Sequence, residues 1–177
     1  MDPKKKKEII IGVAIVAGIL ILGGAASLFK WSPYKKISAV PAGGLKEVVF
    51  NRSTYEIALA RAVGWQSDAG LLKMVLADGT GDAWDFTFVS PGAKGKGFAV
   101  TINGKSIVRA EEIPISGGGT ELPTNIISPD EAIATARSIR GYENAVFVLI
   151  EMIYNSTAHT WYWGVKTSNG VTLTIKA

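Results

Sequence analysis

The chain contains no cysteine and a single histidine, His159. Without cysteine the chain has no disulfide framework and no thiolate nucleophile. It also has no cysteine to bind zinc and no lipobox cysteine that could carry a lipid. The one histidine falls in a predicted polar turn, and it leaves little for metal binding or proton transfer. The motifs Gly-x-Ser-x-Gly and His-Glu-x-x-His are also absent from the sequence. We therefore expect a protein that is not an enzyme and that has no cofactor.

Charge is also sparse over one long stretch of the chain. The 177 residues carry a net charge of +4 and are 47% hydrophobic, and the hydrophobic excess lies in residues 9–29, which contain no charged residue. As a helix rising about 1.5 Å per residue, this segment would be roughly 31 Å long, which matches a hydrocarbon core of about 30 Å. Residues 9–29 are therefore predicted to be a transmembrane helix in contact with membrane lipid.

Lysines on both sides of this segment predict its orientation. Residues 4–7 are four consecutive lysines, whereas the lysines beyond the other end, at 30, 35 and 36, are more widely spread. The denser cluster is expected to stay in the cytoplasm, so the C-terminal part is predicted to be extracytoplasmic. Because the lysines serve this topology, we expect no nucleic-acid binding. The small residues Gly24-Ala25-Ala26 leave open the alternative that residues 1–26 are cleaved as a signal peptide.

Changes of composition divide the chain into six predicted segments. Proline and glycine mark the linkers between them. The segments are a cytoplasmic basic tail (1–8), the transmembrane helix (9–29), a linker (30–52), a first α+β unit (53–113), a second linker (114–127) and a second α+β unit (128–177).

Each unit is predicted to begin with a capped helix. Ser53 and Glu56 have the spacing of a capping box, and Ser128 with Glu131 has the same spacing, strengthened by proline at the first helical position. In the first unit a second helix is predicted over about 68–77, from apolar residues at helical spacing.

Strands are predicted to follow these helices. Residues 84–88 and 98–102 alternate between apolar and polar, which indicates strands with one buried face. Asn103-Gly104 and Asn169-Gly170 are typical of two-residue hairpins with a type I′ turn. Residues 145–154 form an apolar run that predicts a central strand covered on both faces. The fold class is therefore α+β, with two helix-plus-antiparallel-sheet repeats, which pack either as one sheet or as two.

The second unit resembles the PepSY domain, a small α+β module of prokaryotic envelope proteins and of protease propeptides. The matching residues are the helix start Ser128 to Ile133 with Ala136, the strand pair around 161–166, and the turn Asn169-Gly170-Val171. The first unit, with Ala58, Ala62 and the Asn103-Gly104-Lys105 turn, is similar to a diverged copy. This resemblance implies a noncatalytic extracytoplasmic module that binds or restrains a partner, often a peptidase.

Aromatic residues are the candidates for contact with that partner. Trp161, Tyr162 and Trp163 lie together on one predicted strand, and Tyr162 points to the face opposite both tryptophans. We expect most aromatics at strand spacing to be core residues, so Tyr162 is the best candidate for an exposed contact. Residues 78–82 place oxygen ligands at alternate positions, but the EF-hand pattern fails, and we expect no metal site. The Gly- and Lys-rich residues 92–97 lack a phosphate-loop ending, and no small-molecule substrate is inferred.

The sequence therefore predicts a single-pass membrane protein whose extracytoplasmic part binds a protein partner, such as an envelope peptidase. Two alternatives stay open. One is a cell-wall or glycan-binding module that uses the tryptophan and tyrosine strands, and the other is a pilin-like assembly subunit built from an apolar helix and an α+β head.

Overall fold

A computed structural model describes residues 44–45, 48–77, 83–115 and 117–177. Residues 1–43, which contain the predicted cytoplasmic tail and transmembrane segment 9–29, lie outside the described residues. Within the described ranges, neither helix is long and apolar enough to cross a membrane. In chain order the elements are α1 (Arg52–Val63), β1 (Gly70–Leu76), β2 (Ala83–Val89), β3 (Lys96–Asn103), β4 (Ser106–Pro114), α2 (Pro129–Ser138), β5 (Phe147–Asn155), β6 (Thr160–Thr167) and β7 (Thr172–Lys176).

The seven strands form one sheet in the order β4-β3-β2-β1-β5-β6-β7, and every neighbouring pair is antiparallel. The predicted α+β class with an antiparallel sheet is confirmed. The sequence left open whether the two halves share a sheet, and the pairing of β1 with β5 shows that they do. This junction consists of three residue pairs: Lys73 with Ile153, Met74 with Met152, and Val75 with Glu151.

Both helices pack on the same side of the sheet, where the core lies. Tyr55 of α1 contacts Phe86 and Phe88 of β2, with ring centroids 6.3 and 6.5 Å apart. Trp84 of β2 meets Trp163 of β6 at 6.5 Å. The alternation predicted for residues 84–88 and 98–102 is confirmed, since the large apolar side chains of both strands are buried on this helix side: Trp84, Phe86, Phe88, Phe98, Val100 and Ile102. Burial of such large aromatic side chains supplies much of the driving force for folding.

The same two tryptophans also fix the chain that enters each helix. The indole Nε1–H of Trp84 donates to the Val49 carbonyl at 3.0 Å, and that of Trp163 donates to the Ile127 carbonyl at 3.1 Å. Val49 lies just before α1 and Ile127 just before α2. Each buried indole is therefore hydrogen-bonded, as a buried N–H requires, and each helix is held over its own group of strands.

The helix predicted over 68–77 is wrong, because these residues form strand β1. A bulge between Leu71 and Lys73 interrupts the strand alternation. It brings Leu71, Met74 and Leu76 to the helix side, where all three are buried, and leaves Val75 on the other side. Because a bulge adds one residue to the period of two, a bulged strand can imitate the spacing of a helix face.

The two predicted helix starts have different outcomes. At α2 the capping box is confirmed: the Glu131 N–H donates to the Ser128 hydroxyl at 3.2 Å, and the Ser128 N–H donates to the Glu131 carboxylate at 2.6 Å. At α1 the cap is Asn51 rather than Ser53, because the Asn51 side chain accepts from the Ser53 N–H at 3.0 Å. Asparagine is as good a cap as serine, and here it lies two residues earlier.

Both hairpins occur where the sequence predicts them, but neither contains the predicted type I′ turn. Between β3 and β4 the loop residues are Gly104 and Lys105, and only Gly104 has a positive φ, of 61°. A positive φ at the first loop residue alone is the pattern of a type II′ turn. Between β6 and β7 lie the four residues 168–171, with Gly170 at φ 90° after a turn closed by the Gly170 N–H and the Thr167 carbonyl.

The described parts of both predicted linkers belong to the folded unit. Leu45 and Val48 are buried in the core, and the Leu45 N–H donates to the Phe147 carbonyl at 2.7 Å. In the second linker, Leu122 is buried and its N–H donates to the Tyr55 hydroxyl at 3.2 Å. The Arg52 guanidinium donates to the carbonyls of Pro123 and Leu122 at 2.7 and 3.0 Å. These bonds fasten the segment between the two halves to α1.

Replacement of Tyr55 by phenylalanine tests this fastening. The Tyr55→Phe variant leaves the buried Leu122 N–H without its acceptor, so we expect the free energy of unfolding to fall by about 1–3 kcal/mol. Urea unfolding followed by circular dichroism measures the change. Tyr142→Phe is the matched control, because no hydrogen bond of the half-buried Tyr142 hydroxyl exists within the described residues. Equal stability of the two variants would show that the Tyr55 hydroxyl does not hold the segment.

Candidate functional site

The side of the sheet opposite the two helices, which we call the open face, is the candidate functional surface. An antiparallel sheet commonly packs one face on its core and presents the other to solvent. Most side chains of the open face are half-buried, whereas those of Thr87 and Ala99 are buried and those of Glu111, Lys166 and strand β7 are exposed. By strand register they include Lys73 and Val75 (β1), Asp85 and Thr87 (β2), Ala99 and Thr101 (β3), Arg109 and Glu111 (β4), Leu149, Glu151 and Ile153 (β5), Tyr162 and Lys166 (β6), and Thr172, Thr174 and Lys176 (β7).

Glu151 lies near the middle of this open face, in an apolar setting. Leu149 and Ile153 are its neighbours along β5, and Val75 is opposite it on β1. On the other side it faces Gly164 of β6, where a Cβ atom would lie only 3.3 Å from Glu151 Cγ and 3.4 Å from Oε1. The missing side chain of Gly164 therefore leaves the space in which the carboxylate of Glu151 lies across β6.

The charge of Glu151 is only partly balanced by its surroundings. Burial raises the pKa of its carboxyl group above the ordinary value of 4.5, and the positive charges of Lys73 and Lys166 lower it by less than burial raises it. Both lysines lie diagonally to Glu151 on the neighbouring strands. The site thus holds a carboxylate that retains a proton more tightly than an exposed one, with cationic side chains on both flanks.

Polar pairs extend the open face from Glu151 toward the β4 edge. The Thr101 hydroxyl donates to the Asp85 carboxylate between β3 and β2. On β4, the Arg109 guanidinium donates to the Glu111 carboxylate two residues along. The open face therefore combines apolar side chains around Glu151 with paired charges at one end. Such a composition suits a protein surface with a polar rim better than an enclosed ligand pocket.

The three aromatic residues predicted for partner contact are divided between the two sides of the sheet. Trp163 is fully buried on the helix side, and Trp161 is only 5% exposed there, so neither offers a surface to a partner. Tyr162 lies on the open face, half-buried, between Ile153 of β5 and Lys176 of β7. The structure thus keeps Tyr162 as a candidate contact and places the two tryptophans in the core.

The other sequence candidates do not join this site. His159 is exposed in the β5–β6 turn at φ 47°, and its Nδ1 lies 3.2 Å from the Tyr154 hydroxyl. Residues 78–82, weighed as a calcium loop, lie outside the described residues. In the part of the chain that the structure describes, no group of three His, Asp or Glu residues could hold a metal ion. Lys96 and Gly97 belong to β3, where Lys96 forms an ion pair with Glu112 at 2.9 Å, and Lys94 lies in an exposed loop.

Sequence reasoning missed Glu151. The apolar run 145–154 predicted a strand covered on both faces, whereas the structure buries Ile150 and Met152 on the helix side and leaves the alternate residues half-buried. The available signal was the lone charge inside that run, flanked at two-residue spacing by Leu149 and Ile153. Its depth depends on Gly164 and Val75, which pair with it only through the sheet register.

No protein-family model matches the chain, and no curated protein matches it significantly. Among solved structures, the chain is similar to a protein described as a "putative lipoprotein" from Clostridium difficile 630, with 12% sequence identity and a TM-score of 0.45. The match covers 70% of this chain and 93% of that chain. At this level of similarity, the likeness decides neither the fold nor the function of this chain.

The raised pKa of Glu151 predicts how its replacement changes stability with pH. Because the folded state binds this proton more tightly than the unfolded state, stability is lost as pH rises from the ordinary value of 4.5 through the folded pKa. The Glu151→Gln variant has no such loss, so we expect a higher melting temperature than that of the parent at neutral pH. Below pH 4.5, the ordinary pKa, the melting temperatures of parent and variant should be equal. Thermal melts across this range measure it, with Glu121→Gln, at an exposed side chain, as the control. A parent that melts above the variant at neutral pH would contradict the expectation.

Proposed function

We propose that this chain is a single-pass, membrane-anchored extracytoplasmic module that binds a protein partner through the open face and carries out no catalysis. The observation that carries the proposal is the surface around Glu151, where half-buried apolar side chains surround a carboxylate on the side of the sheet opposite α1 and α2. The anchor and its orientation rest on the charge-free residues 9–29 and on the lysines before them.

The arrangement of the two halves supports a duplicated, PepSY-like origin for the module. A helix, three strands and a buried tryptophan that hydrogen-bonds to the chain before the helix occur in each half, in the same order. The first half consists of α1 with β1–β3 and the second of α2 with β5–β7, and β4 is added at the outer edge. The resemblance implies a partner such as an envelope peptidase, which the module would bind or restrain.

The chemistry of the open face indicates what kind of partner segment would fit. Val75, Leu149 and Ile153 offer apolar area, and Tyr162 combines an apolar ring with a hydroxyl. Glu151 would accept hydrogen bonds from the partner, whereas Lys166 would attract its carboxylates. A partner surface with an apolar centre and mixed charges around it matches this arrangement. The burial of Trp161 and Trp163 disfavours the glycan-binding alternative, because it removes both rings as stacking platforms.

Site-specific photo-cross-linking tests the proposed binding surface. A photoreactive amino acid placed at Tyr162 in the full chain, in native membranes, should yield one defined protein adduct, whereas the same probe at Ala134, exposed on α2, should not. Lys166→Glu on the open face should remove the adduct, and Lys94→Glu in an exposed loop should leave it. Adducts of equal yield from both probes, or none from Tyr162, would show that the open face is not the binding surface.

Protease treatment of intact cells tests the proposed topology separately. Residues 53–177 should be degraded when known surface proteins are degraded, because they are proposed to lie outside the membrane. Immunodetection with an antibody against the C-terminal segment measures the loss, and permeabilised cells provide the control. Full protection in intact cells, with degradation only after permeabilisation, would refute the extracytoplasmic orientation.

A further inference from the structure

Strand β4 is the longer of the two edge strands of the sheet. It has nine residues, Ser106–Pro114, whereas β7 at the other edge has five. Most of its residues are exposed, and Val108 is 61% exposed. A long edge strand is a template on which a further strand can form main-chain hydrogen bonds.

The ladder with β3 shows which backbone groups of β4 point away from the sheet. The Ile115 N–H donates to the Gly95 carbonyl at 3.2 Å. Because hydrogen-bonded and non-hydrogen-bonded pairs alternate in an antiparallel ladder, the N–H and C=O groups of the odd-numbered residues 109–113 point toward β3. The N–H and C=O groups of Ala110 and Glu112 therefore point outward, where they could form hydrogen bonds with another strand.

The side chains of this edge are complementary to themselves. If a second β4 pairs antiparallel with the first about Ala110, the two Ala110 residues form a hydrogen-bonded pair. Arg109 of each copy then lies opposite Glu111 of the other copy, in the closer, non-hydrogen-bonded arrangement. Both side chains lie on the open face, where within one strand they already form an ion pair. Charged residues on an edge strand disfavour pairing with most other strands. Here, however, the charges of β4 are complementary to those of β4 in a second copy of the chain.

We propose that two copies of this chain associate through β4, paired antiparallel about Ala110, so that two seven-stranded sheets become one continuous sheet. The contact is isologous, since a two-fold axis relates the same residues of both copies. It brings the two open faces side by side, each with its own Glu151. The proposal does not depend on the binding of another protein, because it uses only the edge of the sheet.

Cysteine cross-linking of the full chain in native membranes tests this contact. The chain has no cysteine of its own, so Ala110→Cys creates a single thiol. In a hydrogen-bonded pair the Cα atoms lie about 5.5 Å apart, within the range of about 4.4–6.8 Å that a disulfide needs. Mild oxidation should give several-fold more covalent dimer than in the control Thr172→Cys, which lies exposed on β7. Equal yields, or adducts only to other proteins, would overturn the proposal.

Charge reversal tests the register on the same Ala110→Cys background. Arg109→Glu alone creates two like-charged pairs across the contact, and we expect the association constant to fall by about tenfold or more. Adding Glu111→Arg restores opposite charges and should restore the dimer. Arg109→Gln removes the attraction without adding repulsion, so it should give an intermediate yield of covalent dimer. It also serves as the milder variant if Arg109→Glu unfolds the protein. Failure of the double reversal to restore the dimer, while it remains folded by circular dichroism, would overturn the proposed register.

Discussion

The pairing of β1 with β5 is the contact on which the rest of the structure depends. It joins two groups of strands through three residue pairs, so the ladder itself supplies few hydrogen bonds between the halves. Packing on the helix side must stabilise it. Met74 and Met152 are fully buried at its centre, and the rings of Trp84 and Trp163, on strands that flank the pair, meet across it at 6.5 Å. Methionine suits this buried position, because its flexible side chain adapts to irregular space in a core.

Segments without regular secondary structure complete this packing. The chain before each helix accepts a hydrogen bond from one of the two indoles, and the segment between the halves is held by Tyr55 and Arg52 of α1. Buried backbone groups need such partners, since an unpaired N–H in the core costs free energy. The helices are therefore positioned by specific hydrogen bonds as well as by their apolar faces.

The sequence predicted the parts of this fold that depend on local physics. Strand alternation at Trp84, Phe86 and Phe88, the capping box at Ser128 and the position of both hairpins depend on residues close together in the chain. β1 was missed because its bulge shifts the alternation toward helical spacing, and the bulge depends on the partner strand. Turn types were missed for a similar reason, since the register of the flanking strands decides which residues become the loop.

The candidate site could be predicted only in part, because it is formed across strands. The place of Tyr162 on the open face was predicted from alternation alone, since the residue between two buried tryptophans must face the other way. Glu151 was not found, because its burial depends on Val75 and Gly164, which are distant in sequence and adjacent only through the sheet. The sequence shows one charged residue within the apolar run 145–154, but only the strand register shows that its carboxylate lies between Val75 and Gly164.

The proposed binding function would account for the position of Glu151, because folding alone gives no reason for a carboxylate there. The helix side already contains the core of β5, in Ile150 and Met152, and an apolar residue at 151 would avoid the desolvation that raises the pKa of Glu151. Lys73 and Lys166 reduce this cost but do not remove it. A partner that donates hydrogen bonds to the carboxylate would make this desolvation cost smaller in the complex than it is in the free protein. This difference in cost would favour the bound state. It would be largest for a partner whose hydrogen-bond donors lie opposite Glu151.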